Sequence, residues 1–461
     1  AADAAVMLID AAKGVEPQTR KLFEVCRMRG IPIFTFMNKM DRPGREPFDL
    51  LDEIEKVLGI QSCPLAWPLG GGDRFRGIYD RRTKEMLLFQ TEGEANVKGR
   101  LAPRKVTGLN DPSLLNIASG PRGDREEGQM LLEKMRGEIE LMETAGNPFD
   151  LERVLRGDLT PVFFGSAMNN FGVQRFLDNF LELAPTPCAR KVTLGSRSGQ
   201  KAVTVDAEAE APVLVEPSDE RFSGFVFKTQ ANMDPAHRDR GAFLRICSGK
   251  FVRNMEVKHA RLGTNVKIAR PLQLFGQERI VVEEAWPGDI IGILDTSGDL
   301  RIGDTLCAAS PPFAYDRVPS FSPEYFAGVL LKDPMRRKHL QKGLDQLAEE
   351  GVIQIYRQRG MGDKDPVLGA VGALQFEVLQ FRLKAEYGVD VRIERLGFAH
   401  ARWVRPTPGG RAFDPDFFER REDSRCLEDR DGKPVVLFKS EWSMRWAREN
   451  YKDVEFVASG T

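Results

Sequence analysis

Two short apolar runs, AAVMLID at 4–10 and IPIFTFM at 31–37, flank PQTRKLFEVCRMRG at 17–30, where Leu22, Phe23, Cys26 and Met28 cluster toward one helical face and Gly30 supplies a stop. Strand, amphipathic helix and strand make a βαβ unit, whose parallel strands are expected to be covered on both faces. EPFDLLDEIEKVLG at 46–59 is the next helix, with Phe48, Leu51, Ile54 and Leu58 at three- and four-residue spacing and Gly59 behind it. LTPVFFGSAM at 159–168 repeats an apolar strand that ends in small polar residues, and VQRFLDNFLELAP at 173–185 is a helix closed by Pro. The amino-terminal part therefore reads as an open α/β sheet.

The segment between them, 120–146, is charged and helix-forming and reads as a solvated helix pair. Residues 195–220 shift to small, acidic and Pro-containing composition, the mark of a linker or loose edge. From FSGFVFKTQ at 222–230 onward the period becomes two, in short strands separated by Gly and Asp turns, which is the pattern of a small β-barrel. After residue 324 the order strand, helix, strand, strand, helix, strand over 325–394 is that of a ferredoxin-like sandwich, with 400–461 adding elements whose placement the pattern does not fix. The fold class is α/β and β, with domains at 1–194 (α/β), 195–220 (linker or edge), 221–312 (β-barrel) and 313–461 (ferredoxin-like α+β).

Composition changes this picture little. A chain of 461 residues with 67 Lys+Arg against 68 Asp+Glu carries no global basic field, so any polyanion must be met by local patches. Cys26, Cys63, Cys188, Cys247, Cys307 and Cys426 are scattered without C-x-x-C spacing, which argues against a zinc site or a disulfide scaffold and fits a reducing cytoplasm. No run approaches the ~20 apolar residues of a membrane span.

The candidate chemistry sits at the strand ends, where an open parallel sheet binds its ligands. FTFMNKMDRP at 34–43 places Asn38, Lys39 and Asp41 at the end of one strand, and Ser166, Ala167 and Met168 end another. A carboxylate accepts two parallel hydrogen bonds, which suits a ring presenting N–H and NH₂ side by side, as guanine does and adenine does not. Asn38 faces the opposite edge or braces the loops, the Lys39 stem lies over the ring, and the Ser166 and Ala167 N–H groups meet a carbonyl oxygen. LGGGDRFRG at 69–77 and RGMGDKD at 359–365 are Gly-rich but lack G-K-[ST] at phosphate-loop spacing and read as turns. His237, in DPAHRDR, is either part of a solvated turn or a contact to an RNA or to a protein switch; Lys250, Arg253, Lys258 and Arg261 are either a phosphate-contacting cluster or an exposed barrel face.

MNKMD and GSAM resemble the guanine-specificity motifs N-K-x-D and S-A-[LKM] of the GTPase superfamily. The run AADAAVMLIDAAKGVEPQTRKLFEVCRMRGIPIFTFMNKMDR is similar to translational GTPases, and FSGFVFKTQANMDPAHRDRGAFLRICSGKF at 222–251 and FSPEYFAGVLLKDPMRRKHLQKGLDQLAEEGVIQIYR extend the likeness to the bacterial peptide chain release factor 3 family. The resemblance implies binding of GTP or GDP, with Asn38, Lys39, Asp41, Ser166 and Ala167 as nucleotide-binding residues. It also implies Mg²⁺, with ligands outside this chain and no catalytic residue within it. Its expected partners are the ribosome and the codon-reading release factors that it dissociates in a GTP-dependent way after peptide release, in the cytoplasm, as a monomer and away from membranes. The family's phosphate loop, switch Thr and D-x-P-G-H segment do not occur here, so the chain reads as lacking its amino-terminal portion and is expected to be inactive alone. Two other readings stand beside this one: an elongation factor G-like or ribosome-protection GTPase, and a non-catalytic ribosome-binding protein that has lost its phosphate site.

Overall fold

The computed structural model describes residues 2–89, 104–106, 108–120, 123–194, 213–231, 240–269, 271–275, 278–295, 298–308, 312–316, 322–359, 365–407, 413–419 and 421–458. They form two compact units, Ala2–Cys188 and Ala189–Thr461. In the first, β1 (Ala5–Asp10), α1 (Pro17–Met28), β2 (Ile33–Asn38), α2 (Pro47–Leu58) and β3 (Gln61–Pro64) follow one another. The chain then makes an antiparallel sheet of β4 (Ala66–Leu69), β5 (Gly77–Asp80), β6 (Glu85–Leu88) and β7 (Arg104–Lys105), followed by α3 (Ser113–Ala118) and α4 (Arg125–Ala145). It returns through α5 (Leu151–Leu155) to β8 (Leu159–Phe164) and ends in α6 (Val173–Leu183).

β1, β2, β8 and β3 lie side by side in that order, all parallel. All six residues of β8 and the first five of β2 are buried, as continuous apolar strands in the middle of a covered sheet should be. β1 differs from expectation: it is an edge strand, and Val6 and Leu8 are 44% and 59% exposed while Met7 and Ile9 are buried. In α1 only Phe23 is fully buried, and Leu22 and Met28 point to solvent. The solvated helix pair expected over 120–146 is a single helix, α4, capped by the Asp124 carboxylate accepting from the Glu127 N–H at 3.0 Å. Its Leu131, Leu132, Met135, Ile139 and Met142 recur at three- and four-residue steps and enter the same core as β4 and α2. Trp67 of β4, fully buried, donates its indole N–H to Glu138 of α4 at 2.8 Å.

In the second unit, the boundary expected at 194 moves to 188, because Arg190–Leu194 pairs with Val213–Val215 and Phe313–Tyr315 in a three-stranded antiparallel sheet. Most of the expected linker lies outside the described residues. An eight-stranded antiparallel sheet, built from strands between Ser223 and Cys307, wraps a core that includes Phe222, Val226, Leu244, Ile291 and Leu306. Tyr325–Leu331, Arg337–Glu349, Gln354–Tyr356, Val367–Ala370, Leu374–Tyr387 and Val391–Leu396 follow in the ferredoxin-like order. Residues beyond 399 are not additions to that sheet. His400–Pro406, Ser424–Glu428, Pro434–Phe438 and Val454–Val457 make a second four-stranded sheet. One of its faces, with Ala401, Trp403, Leu427 and Val435, packs on Phe326, Tyr356 and Val367, and the other lies under Phe418, Met444 and Ala447.

Of the basic cluster on the barrel, three members are already paired: Lys250 with Glu284, Arg253 with Glu283 and Arg261 with Asp304. The Arg261 pair belongs to a buried network. Asp304 also bonds His259 Nε2 at 2.9 Å and accepts from the Arg301 N–H at 2.8 Å, while Leu262 N–H donates to His259 Nδ1 at 3.1 Å. Burial pushes the Asp304 carboxyl up, but the hydrogen bonds from Arg261 and His259 outweigh it and hold it well below the usual carboxylate range. A carboxyl held down in the folded state stabilises it at pH values above the unfolded pKa, and that contribution disappears as the pH falls through the acid range. Asp304→Asn should therefore cost this unit roughly 2–4 kcal/mol near neutrality, because a partly buried Arg loses its charge partner. Denaturant unfolding at pH values of about 7 and about 3 checks this: the gap between variant and parent should shrink in acid, and equal stability at neutral pH would refute the role of the network.

Candidate functional site

The site is built where two neighbouring parallel strands end. β2 and β8 pair with Thr35 opposite Val162 and Met37 opposite Phe164, so Asn38 emerges beside Gly165, Ser166 and Ala167. The backbone continues the pairing past the strands: Gly165 N–H donates to Met37 O at 2.9 Å and Met40 N–H to Gly165 O at 3.1 Å. Gly165 has to be glycine, since a Cβ there would lie 2.4 Å from the Phe171 carbonyl oxygen and 2.7 Å from the Phe36 ring.

Asn38 joins the two loops. Its Oδ1 accepts from the Lys39 N–H at 2.8 Å and from the Ala167 N–H at 2.9 Å. Lys39 has φ of 69°, a left-handed conformation that a side chain other than glycine seldom adopts, and it turns the chain sharply between Asn38 and Asp41. Its ammonium meets Asp10 at the end of β1, 2.6 Å away. That hydrogen bond is the main reason the Asp10 carboxyl lies below its ordinary range.

Asp41 is held by a residue that the motifs do not mark. Asn169 Nδ2 donates to Asp41 Oδ2 and to Ser166 Oγ, each at 3.0 Å. Asp41 Oδ1 is buried and accepts no hydrogen bond among the described residues. A buried carboxylate oxygen without a donor is costly, and a ring N–H or NH₂ would satisfy it. Ser166 and Ala167 stand elsewhere than expected in their bonding. The Ser166 N–H goes to Phe171 O at 3.0 Å and the Ala167 N–H to Asn38, so neither is free for a ligand carbonyl: both brace the loop. Asn169 is legible in the sequence only as one of two asparagines after GSAM, with nothing in its spacing to mark it.

A cavity of 530 Å³ is lined by residues that include Met40, Arg42, Gly71, Arg74 and Lys134. Asn38, Asp41 and Ala167 do not line it, so it is a separate feature from the strand-end site. His237 lies outside the described residues. No helix among the described residues is long and apolar enough to cross a membrane.

Residues 1–186 match the elongation factor Tu GTP binding domain, 221–309 match elongation factor G domain 2, and 315–448 match the class II release factor RF3 C-terminal domain. A peptide chain release factor 3 of Symbiobacterium thermophilum is 50% identical over 459 residues, covering 100% of this chain and 80% of that protein. Another, of Acaryochloris marina, is 47% identical over 458 residues, 99% of this chain and 78% of that protein. A crystal structure of a Thermus thermophilus protein superposes with a TM-score of 0.59 at 22% identity, over 88% of this chain and 57% of that one, a likeness of fold. The expectation of a missing amino-terminal portion, and of inactivity following from it, gains no support from these matches, which run along the whole chain.

If Asp41 reads a base through the free oxygen, Asp41→Asn should weaken guanosine nucleotide binding by roughly two orders of magnitude, since a hydrogen bond to a charged group is worth about 1.5–3 kcal/mol. Xanthosine nucleotides, with a 2-oxo group in place of the 2-amino group, should gain. Competition between the two in equilibrium dialysis measures the exchange, and unchanged preference would remove Asp41 from the site.

Proposed function

The chain belongs to the peptide chain release factor 3 family, and from that premise we propose that its first unit reads the guanine of GTP or GDP at the ends of β2 and β8. It is a ribosome-associated GTPase of translation termination. The observation that carries the base reading is the bonded ring Asn38–Ala167 and Asn169–Asp41, which leaves one buried carboxylate oxygen without a donor among the described residues, between two braced loops. In this reading Asp41 accepts the ring N–H groups, the Lys39 stem covers one face of the base, and Asn38, Ser166 and Ala167 keep the two loops at a fixed separation. A first domain ending at Cys188, with 221–312 and 313–461 after it, is the working division for function, and the partners are the ribosome and the codon-reading release factors, whose dissociation after peptide release GTP promotes. The setting is cytoplasmic and the protein monomeric.

Hydrolysis in such enzymes is electrostatic: Mg²⁺ and a phosphate-binding loop neutralise the nucleotide charge while an aligned water attacks. No G-x-x-x-x-G-K-[ST] run occurs in these 461 residues, and no residue here is assigned to Mg²⁺ or to the phosphates. The groups named above are assigned to the base, so guanosine alone should compete with GDP and GTP for residues 1–461, and adenosine should not. A marked preference for GTP over guanosine, or ribosome-stimulated turnover, would show that other residues of the chain grip the phosphates.

A further inference from the structure

The two base-reading loops do not stand on the parallel sheet alone. On the first loop both backbone groups of Met40 are engaged: its N–H bonds Gly165 O, and its carbonyl accepts from the Gly72 N–H at 2.9 Å. Gly72 lies in the turn between β4 and β5, and Gly70 before it has φ of +77° and would place a Cβ 2.0 Å from the Arg74 carbonyl oxygen, so the turn needs glycine to pass that close. The second loop meets the same insertion. Phe171 exchanges two backbone hydrogen bonds with Ser166, at 3.0 and 2.9 Å. Its ring packs edge-on against Phe75 at 5.6 Å and Phe89 at 5.2 Å, and those two rings lie 5.0 Å apart. Just beyond this loop, Arg175 of α6 pairs with the buried Asp80 of β5 at 3.2 Å and with Glu85 of β6.

The contacts therefore close a circuit from the insertion to the first loop, across Asn38–Ala167 and Asn169–Asp41 to the second loop, and back to the insertion. We propose that the antiparallel insertion β4–β6 is part of the base-specificity apparatus, with Gly72 and Phe171 as positioning residues that set the Asp41 carboxylate against the Ala167 edge. The inference rests on the guanine reading given above. The physical reason is that a carboxylate accepting from two adjacent donors tolerates little displacement, whereas Lys39 holds a disfavoured backbone conformation that persists only when its surroundings impose it. The bonds to Met40 on both sides impose it. Packing of Phe171 against two rings does the same for the other loop.

Inosine provides the probe because it lacks the 2-amino group, so the guanosine-over-inosine ratio measures the second hydrogen bond to Asp41. That ratio is read by ligand-observed NMR on residues 1–461. Phe171→Ala should reduce the ratio by about tenfold, the effect of losing one charge-assisted hydrogen bond, and Phe171→Leu, which keeps an apolar side chain on Phe75 and Phe89, should retain it. A purely structural role would lower the melting temperature and leave the ratio alone. If Phe171→Ala keeps the parental ratio while Asp41→Asn abolishes it, the insertion plays no part in base reading and the inference is overturned. If Asp41→Asn itself leaves the ratio unchanged, the guanine reading fails and takes the inference with it. Should Phe171→Ala not fold, Arg175→Met cuts the other tie and retains a long apolar stem: a reduced ratio then supports the inference, and a parental ratio overturns it.

Discussion

The register between β2 and β8 is the constraint on which the site depends. It is fixed from inside the core, where Thr35 Oγ1 and Thr160 Oγ1 lie 2.8 Å apart with both residues fully buried, and Thr160 also bonds Ile33 O. A slip of one residue would turn these hydroxyls away from each other and leave them without water, at a cost of about 1–3 kcal/mol for each unsatisfied group, and would turn the phenylalanines of both strands to the wrong faces. With the register held, Asn38 arrives opposite Ala167, close enough for one amide oxygen to serve both loops. Nothing about Asn38 alone achieves this. Its reach is a consequence of two hydroxyls several residues upstream.

How much can be read from the chain follows from the same distinction between local and distant causes. β2 and β8 are legible because a strand buried on both faces is continuously apolar, and their polar ends stand out as soon as the apolar runs stop. The roles of Ser166 and Ala167 are not legible, since their N–H groups look free in sequence and are consumed by Phe171 and Asn38, partners that only the folded loop supplies. Asn169 escapes for the same reason. The helix α4 reads as a solvated pair because its charges dominate the composition, although Leu131, Leu132, Met135, Ile139 and Met142 carry the helical period beneath them. The second sheet after residue 399 is made of short strands whose partners lie far along the chain, so no local period announces it.

β1 shows the opposite case, in which a locally convincing pattern overstates burial. AVMLID is as apolar as IFTFMN, yet Val6 and Leu8 are exposed because β1 has a neighbour on one side only among the described residues. Apolar content reports what a strand would tolerate; its place in the sheet decides what is covered.

That edge position also explains how the site divides its labour between charge and amide. Asp10 closes β1 with its Oδ1 taking the Ala12 N–H at 2.8 Å and its Oδ2 taking the Lys39 ammonium, whose side chain remains 44% exposed. An ion pair that exposed is worth at most about 1 kcal/mol, so Lys39 can leave it for the face of a ring at little cost. The bonds made by Asn38 and Asn169 carry no net charge from the amide and do not depend on where the lysine's ammonium lies. Neutral amides therefore hold the loops at fixed separation, and the lysine is the adaptable part. A site arranged the other way, with an ion pair as the brace, would loosen in salt and lose the spacing between the Asp41 carboxylate and the facing loop on which discrimination between bases depends.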